Sequence, residues 1–432
     1  MVAITIYRGT REIGGTLIEV SSTDSRILLD AGYPLFLNGS PIEKDEALMP
    51  PKRLLEIGVL PDIKGLYAWD APSVDAVLIS HAHLDHYGLL KYINPSIPVY
   101  ISAGTERVIR LSQAFKLVDE FEISTVGFEM YKPFQIGSFT VKPYLMDHSA
   151  FDAAGFEIHS EGKTIIYSGD FRGHGRKPGC LDRFINGAAK QADLLLIEGT
   201  TLARQEETIM TEEDLKDQVL QQANTISGPV LFQASSQNID RLVSFYKVAR
   251  KLGRLFVVDV YTANILSELN QLGCRVPFPS NEYENVRVFY PYRLTKKIYD
   301  EMDLMYAKRF SPFYISKPDL NKMQNKIVMA VRPSMQRDLE KCGLRGGLFI
   351  YSLWLGYRGS DYQQRFEEFL SRNGFDLQYI HTSGHASADD IARVIAGLNP
   401  QKVVPVHTMV PEAFRGLSAK TELQADGRPF EI

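Results

Sequence analysis

Residues 81–86 read His81-Ala82-His83-Leu84-Asp85-His86, and no other stretch constrains the fold as strongly. Three of the chain's nine histidines sit there. His81 and His83, two apart, can grip one cation; Asp85 and His86, adjacent, point at a second. Imidazole nitrogen and carboxylate oxygen without thiolate suit zinc, with manganese as the alternative. A solvated polar loop is the plain rival reading. A dinuclear site needs more ligands than one loop supplies, so the fold must bring histidines and aspartates to this loop from elsewhere in the chain.

A chain of 432 residues buries a large core and is long enough for two domains. At 44% hydrophobic and 23% charged residues it has the composition of a globular protein. No apolar run reaches membrane-spanning length, and Met1–Arg8 alternates like a strand rather than forming a signal-peptide core. Cys180, Cys274 and Cys342 are odd in number and far apart, which fits packing residues in a reducing cytoplasm. The formal net charge is −4, yet residues 241–345 carry 19 Lys/Arg against 10 Asp/Glu. Such a basic region attracts a polyanion even in an acidic chain, unless it is merely a solvated helix surface.

The first 200 residues read as short strands: Ile4–Arg8, Thr16–Val20, Arg26–Asp30, Ala76–Ser80, Val99–Ile101, Phe139–Pro143 and Thr164–Ser168. A helical pattern covers Thr105–Leu117. Two apolar strands end in carboxylates, at Asp30 and Glu198; such positions suit a site, with capping as the rival. From 205 the style changes to alternating strands and helices. Thr211 caps a helix with Asp214 completing a capping box, and Pro229–Gln233 (strand), Asn238–Leu252 (helix), Arg254–Val260 (strand) and Leu294–Arg309 (helix) follow. Strand-and-site style returns near 375 with Leu377–His381, a helix, and Lys402–Val406. We therefore expect three segments: 1–204, an inserted α/β domain over 205–372, and a return over 373–432.

His148, Asp170 and His407 each follow an apolar strand and are further ligand candidates. An aspartate with two oxygens can bridge cations about 3.5–4 Å apart. Ser387 caps a helix with Asp390 three residues on, and a loop entering a helix N-terminus suits an anion. His159 alternates outward on a strand and reads as solvated. His174 and Arg172 lie near the site in sequence, where they would touch a substrate phosphate. Trp354 and Tyr357 would stack on bases, but aromatics there belong more often to a core or an interface. We leave these five out of the site.

The set resembles the metallo-β-lactamase fold: Asp30, His81–His86, His148 and Asp170 match its four leading signatures in order. Glu198 in Ile197-Glu198-Gly199-Thr200-Thr201, His385 in Thr382-Ser383-Gly384-His385-Ala386-Ser387, and His407 in Pro405-Val406-His407 match the three of the β-CASP branch, which contains nucleic-acid-processing nucleases. Arg11-Glu12-Ile13-Gly14-Gly15 and Ser235-Ser236-Gln237-Asn238-Ile239-Asp240-Arg241 are similar to ribonuclease J signatures. The match is to a short form that lacks the C-terminal domain. Thr408 departs from the pattern, standing where a Gly commonly follows. The implied fold class is α/β, a metallo-β-lactamase αββα sandwich with an inserted α/β β-CASP domain.

The resemblance implies that His81, His83 and His148 bind one metal and Asp85, His86 and His407 the other, with Asp170 bridging two Zn²⁺ (Mn²⁺ as alternative). Asp30 would hydrogen-bond a ligand histidine and set its tautomer. Two cations would make hydroxide available for in-line attack on phosphorus, with Asp85 and Asp170 in the catalytic set. His385 would protonate the leaving oxygen, with Glu198 raising its pKa. Ser383, His381, Ser235, Ser236 and Asn238 would hold substrate phosphate, with helix capping the equal rival for the serines. The expected function is a cytoplasmic metal-dependent ribonuclease directed at 5′ ends, cutting internally as well or instead, with no membrane partner. DNA cleavage or small-ester hydrolysis by the same fold is the second reading, and a non-catalytic RNA-processing subunit the third. A need for the ribose 2′-hydroxyl separates RNA from DNA, and filled ligand positions argue against a scaffold. Homo-oligomer formation stays open.

Overall fold

The computed structural model describes residues 1–37, 39–42, 48–177, 179–204 and 209–432. The chain forms two compact units: residues 1–109, 119–207 and 384–432 make the first, and 110–118 and 208–383 the second. No helix among the described residues is long and apolar enough to cross a membrane.

The first unit is a sandwich of two sheets. One runs Pro429–Glu431, Ala3–Arg8, Leu17–Ser21, Arg26–Leu29, Ala76–Leu78, Pro98–Ser102, Ser124–Phe128; the other runs Lys402–Val406, Leu194–Glu198, Lys163–Tyr167, Ala154–Ser160, Phe139–Leu145, Phe134–Ile136. Alternation appears where a strand has one wet face, as in Ala3–Arg8, whose even-numbered residues are buried. Leu194–Glu198 is buried throughout because it lies inside its sheet with a layer on either face. Ile4, Ile18 and Leu78 of one sheet meet Phe156, Tyr167 and Leu196 of the other. Leu181 and Phe184 of helix Gly179–Gly187, with Ile391 and Val394 of helix Ala388–Leu398, pack on the outer face of the second sheet.

The second unit is a six-stranded, all-parallel sheet in the order Val286–Phe289, Leu255–Asp259, Ile327–Ala330, Val230–Gln233, Gly347–Tyr351, Phe375–Tyr379. The capping boxes at Thr211/Asp214 and Ser387/Asp390 both form. Two expectations need correction. The helix expected over Leu294–Arg309 is two helices, Tyr292–Glu301 and Met305–Lys308. Met302 is extended, and Asp303 Oδ1 accepts from Met305 N–H at 2.8 Å, so this aspartate starts a new turn rather than continuing the old one. The return segment does not begin at 373. Phe375–Tyr379 pairs in parallel with Gly347–Tyr351 and completes the second unit's sheet, so the chain rejoins the first unit at Gly384. The charge is divided unevenly, with 25 Lys/Arg against 19 Asp/Glu in the second unit and 23 against 33 in the first.

Arg241 holds the second unit together from inside. It and Glu212 are both fully buried. Its Nε and Nη2 donate to the Glu212 carboxylate at 3.1–3.3 Å, Nη1 to Ser352 O at 2.8 Å, and Nη2 to Thr382 O at 3.0 Å. One guanidinium thus ties two helices to the ends of two strands. Replacing Arg241 by Met takes the guanidinium away from the buried Glu212 carboxylate, at an expected cost of about 3–5 kcal/mol in urea denaturation. Replacing both residues by apolar side chains should recover most of that loss.

Candidate active site

In the second sheet Lys163–Tyr167, Leu194–Glu198 and Lys402–Val406 run parallel, with Tyr167 opposite Leu196 and Glu198 opposite Val406. Their carboxyl ends therefore open on one edge and deliver Asp170, Glu198 and His407 together. Gly169 sits just before Asp170 at φ +55°, where a Cβ would lie 2.5 Å from Ala154 O, so only glycine lets the chain turn there. From the first sheet, Ala76–Leu78 runs into Ser80-His81, and His83 stands at the N-terminus of the one-turn helix Leu84–Tyr87. That loop is pinned by the backbone: Thr16 N–H to Asp85 O, Ala31 N–H to His86 O and Tyr33 N–H to Leu84 O, at 2.8–3.0 Å.

The structure brings all seven candidate ligands together in the first unit. His83 Nδ1 lies 3.1 Å from His81 Nε2 and 3.2 Å from His148 Nε2. Bonds of about 2.0–2.1 Å to a tetrahedral zinc imply nitrogen–nitrogen edges of about 3.3 Å, close to these separations. A second set gathers Asp85, His86 and His407, with His407 Nε2 3.3 Å from Asp85 Oδ2. Asp170 Oδ2 faces both sets, 3.2 Å from His86 Nε2 and 3.8–3.9 Å from the Nε2 atoms of His81 and His148.

Tautomers are set from behind. Asp30, buried at φ +60°, accepts from Ser80 N–H at 2.7 Å, Ser80 Oγ–H at 2.8 Å, His86 Nδ1–H at 2.8 Å and Tyr167 O–H at 2.7 Å. Ser80 Oγ, its proton given to Asp30, is left to accept from His81 Nδ1 at 3.0 Å. His148 Nδ1 donates to Gly384 O at 2.6 Å, and His407 Nδ1 meets Thr200 Oγ1 at 2.8 Å. The Nε2 atoms of His81, His86 and His148 are thereby turned inward. Sequence reading missed Ser80, Tyr167 and Thr200. The signal for Ser80 was its place directly before His81; nothing local marked Tyr167.

Two observations show that this donor set fits a divalent metal. His86 Nε2 and Asp170 Oδ1 are buried polar atoms with no hydrogen-bond partner, a costly arrangement unless a cation fills it. The titration behaviour agrees. Burial and the neighbouring imidazoles hold His81 and His148 well below the ordinary histidine range, and burial brings His83 down to about 4, so all three are neutral donors at pH 7. Burial disfavours the charged forms of Asp85 and Asp170, but the surrounding histidines outweigh it and hold both carboxylates low. Burial likewise opposes a charge on His86, yet Asp170 and Asp30 carry it well above the usual value. The carboxylates demand positive charge at that spot.

His385 stands beside this cluster with Nδ1 3.3 Å from the Glu198 carboxylate and 3.6 Å from Asp170 Oδ2. Glu198 is itself gripped by Phe171 N–H at 3.0 Å, Thr200 N–H at 3.2 Å and Ala386 N–H at 3.3 Å. Burial lowers the His385 pKa, but Glu198 and Asp170 together raise it above the usual range. Arg172 does not reach toward substrate: it is fully buried, with Nε donating to Asp147 Oδ1 at 3.1 Å. His174 is buried 3.8 Å from Asp390. The Asp147–Arg172 pair joins the segments that carry His148 and Asp170, a positioning role that adjacency to both ligands would have flagged.

The five phosphate candidates lie in the second unit, beyond the carboxyl ends of its strands. Asn238 Oδ1 caps a helix at Arg241 N–H (3.1 Å), Ser235 Oγ accepts from Gln237 N–H (3.2 Å), and Ser236 Oγ bonds Thr262 Oγ1 (2.8 Å). His381 Nδ1 lies 3.3 Å from Ser352 O, and Ser383 is buried. Ser235 and Asn238 thus hold local turn and capping bonds, whereas Ser236 bonds a hydroxyl of the helix after the neighbouring strand Leu255–Asp259. Arg332, on the next strand end, pairs with Asp259 and lies 3.4 Å from Ser236 Oγ.

Asp30 gives the most direct test of the tautomer argument. Asp30→Ala should weaken divalent metal binding about 10–100-fold in a chelator competition while leaving the ligand side chains intact. Unchanged affinity would show that the histidines orient themselves.

Residues 61–231 match the β-lactamase superfamily domain, and residues 375–421 match the Zn-dependent metallo-hydrolase RNA specificity domain. Ribonuclease J of Pyrococcus abyssi is 24% identical, covering 98% of this chain and 92% of its own length. Ribonuclease J of Helicobacter pylori is 23% identical over 94% of this chain, which spans just over half (56%) of that relative. A crystal structure of a protein of unknown function from Enterococcus faecalis V583 shares the fold, with a TM-score of 0.78, 23% identity and 99% coverage of both chains. The chain thus has the metallo-β-lactamase fold, matches an RNA-specificity domain over residues 375–421, and is similar along nearly its whole length to ribonuclease J of Pyrococcus abyssi.

Proposed function

We propose that the chain is a metal-dependent ribonuclease that hydrolyses RNA phosphodiester bonds with two zinc ions, acting from 5′ ends and on internal bonds. The observation that carries this reading is the pair of donor sets facing one another across Asp170, with His86 Nε2 and Asp170 Oδ1 buried and unsatisfied between them. His81, His83 and His148 would hold one ion, Asp85, His86 and His407 the other, and Asp170 both. When bound, the ions supply an activated water and neutralise charge on the phosphoryl oxygens.

The chain's own residues do the rest. Glu198 and Asp170 keep a proton on His385, whose Nδ1 they occupy, leaving Nε2 to donate to the leaving ribose oxygen. Asp30 and Gly384 O keep the ligand imidazoles from rotating. Ser383, His381, Ser235, Ser236 and Asn238 would contact phosphates along the bound strand. Three free cysteines suit a reducing cytoplasm.

Purified protein and a His81→Ala/Asp170→Ala variant should be given 5′-monophosphorylated and 5′-hydroxyl RNA, with matched DNA, under Zn²⁺ or Mn²⁺. RNA loss confined to the wild type is the expected result; mononucleotides from the 5′-phosphate substrate alone would mark 5′-directed action, and internal fragments would mark endonuclease action. Cleavage of DNA but not RNA would overturn the substrate assignment. His385→Ala should keep its metal content yet lose about 10²–10⁴-fold in kcat. A variant that instead loses metal would make His385 a ligand rather than an acid.

A further inference from the structure

All six strands of the second unit end on one edge of its sheet, the edge at which open parallel sheets bind ligands. One loop there has no part in the metal chemistry: Ser352-Leu353-Trp354-Leu355-Gly356-Tyr357-Arg358, which follows Gly347–Tyr351. Leu355 is 46% and Tyr357 63% exposed, so Tyr357 is not the core aromatic its sequence context suggested.

The loop is held in shape by bonds within it and to the neighbouring strands and helix. Ser352 N–H donates to Gln233 O at 2.9 Å and its hydroxyl to Ile380 O at 2.7 Å. Tyr357 N–H donates to Trp354 O at 3.1 Å. Arg358 closes on both oxygens of Glu367 at 2.8–3.0 Å, with its guanidinium 5.7 Å from the Tyr351 ring centre. The Trp354 indole lies on Gly356, where a Cβ would sit 2.1 Å from the ring. Trp354 and Tyr357 then meet edge to face at 5.4 Å and 88°. On the neighbouring strand end Tyr379, 38% exposed, stacks against His381 at 6.0 Å.

Rigid, exposed aromatic faces cost little entropy on binding, and their flat π surfaces match nucleobases of any sequence. Charge identifies what carries those bases. The unit that holds this loop has a surplus of six cations in a chain whose net charge is −4, a surplus carried by residues 241–345 and complementary to a polyphosphate backbone. We propose that Tyr357, with Trp354 and Tyr379, is a stacking platform for the unpaired bases of an RNA strand. The assignment rests on the ribonuclease reading and adds to it a grip on bases, separate from the chemistry on phosphates.

The test uses full-length, metal-loaded protein and a hydrolysis-resistant phosphorothioate RNA 10-mer, with an abasic strand of the same backbone as control. Unmodified RNA is degraded in parallel. Tyr357→Ala should weaken binding of the base-bearing strand about tenfold, leave the abasic strand unaffected, and keep the wild-type metal content. Tyr357→Phe should bind as the wild type does, because the ring suffices, whereas Tyr357→Leu should behave like Ala. Wild type that degrades RNA while all variants bind it equally overturns the platform and leaves the nuclease standing. Equal losses on both strands would also overturn it, as would a change in oligomeric mass with RNA affinity intact, which would make the loop a contact between copies. Wild type that neither binds nor degrades RNA overturns the ribonuclease reading and the platform with it.

Discussion

The buried Asp30 carboxylate is the constraint on which the metal centre depends. It sits where the strand Arg26–Leu29 of one sheet ends, and one of its four donors, Tyr167, comes from the other sheet. A carboxylate with no exposed surface needs partners on every lone pair, and here all the partners are elements of the site. Ser80 carries the constraint to His81, and His86 receives it directly. Burial pushes the Tyr167 hydroxyl well above its usual range, reinforced by Asp30, so it stays a donor. One charge thus aligns two sheets and sets two imidazoles.

Parallel register supplies the remaining order. Three adjacent strands of the second sheet run parallel, so Asp170, Glu198 and His407 arrive on one edge although residues 170 and 407 are far apart in the chain. The same rule governs the second unit, where the carboxyl ends of six parallel strands collect hydroxyls, Arg332 and the aromatic loop. In each unit the chemistry lies in the turns after strands, because strand interiors are spent on burial. The charge division follows the same separation: acids concentrate in the unit with the metal-ligand candidates, and bases in the other unit.

Strands in the first unit were readable because alternation and short apolar runs are local signals; Ala3–Arg8, Arg26–Leu29 and Lys163–Tyr167 fall within a residue or two of their expected limits. Capping boxes were readable for the same reason. The break at Met302 was not, since apolar spacing runs on through it and only the Asp303 side chain restarts the helix. Nor was the end of the insert, because Phe375–Tyr379 looks like any strand until its partner is known. Arg241 lay within a recognisable motif, yet its buried ties to Glu212, Ser352 and Thr382 depend on contacts 29 to 141 residues away.

The sequence by itself determined which residue types were available and in what order: the His81–His86 frame, the strand-end acids and the later histidines, whose spacing alone pointed to metal chemistry. Only the tertiary structure decided how they act. It turned three Nε2 atoms inward by bonding the opposite nitrogens, left His86 Nε2 and Asp170 Oδ1 buried without hydrogen-bond partners, and buried Arg172 against Asp147. The reason is physical. Ligand identity is a property of a residue, whereas lone-pair direction, burial and protonation belong to its neighbours in space, and those neighbours are distant in the chain.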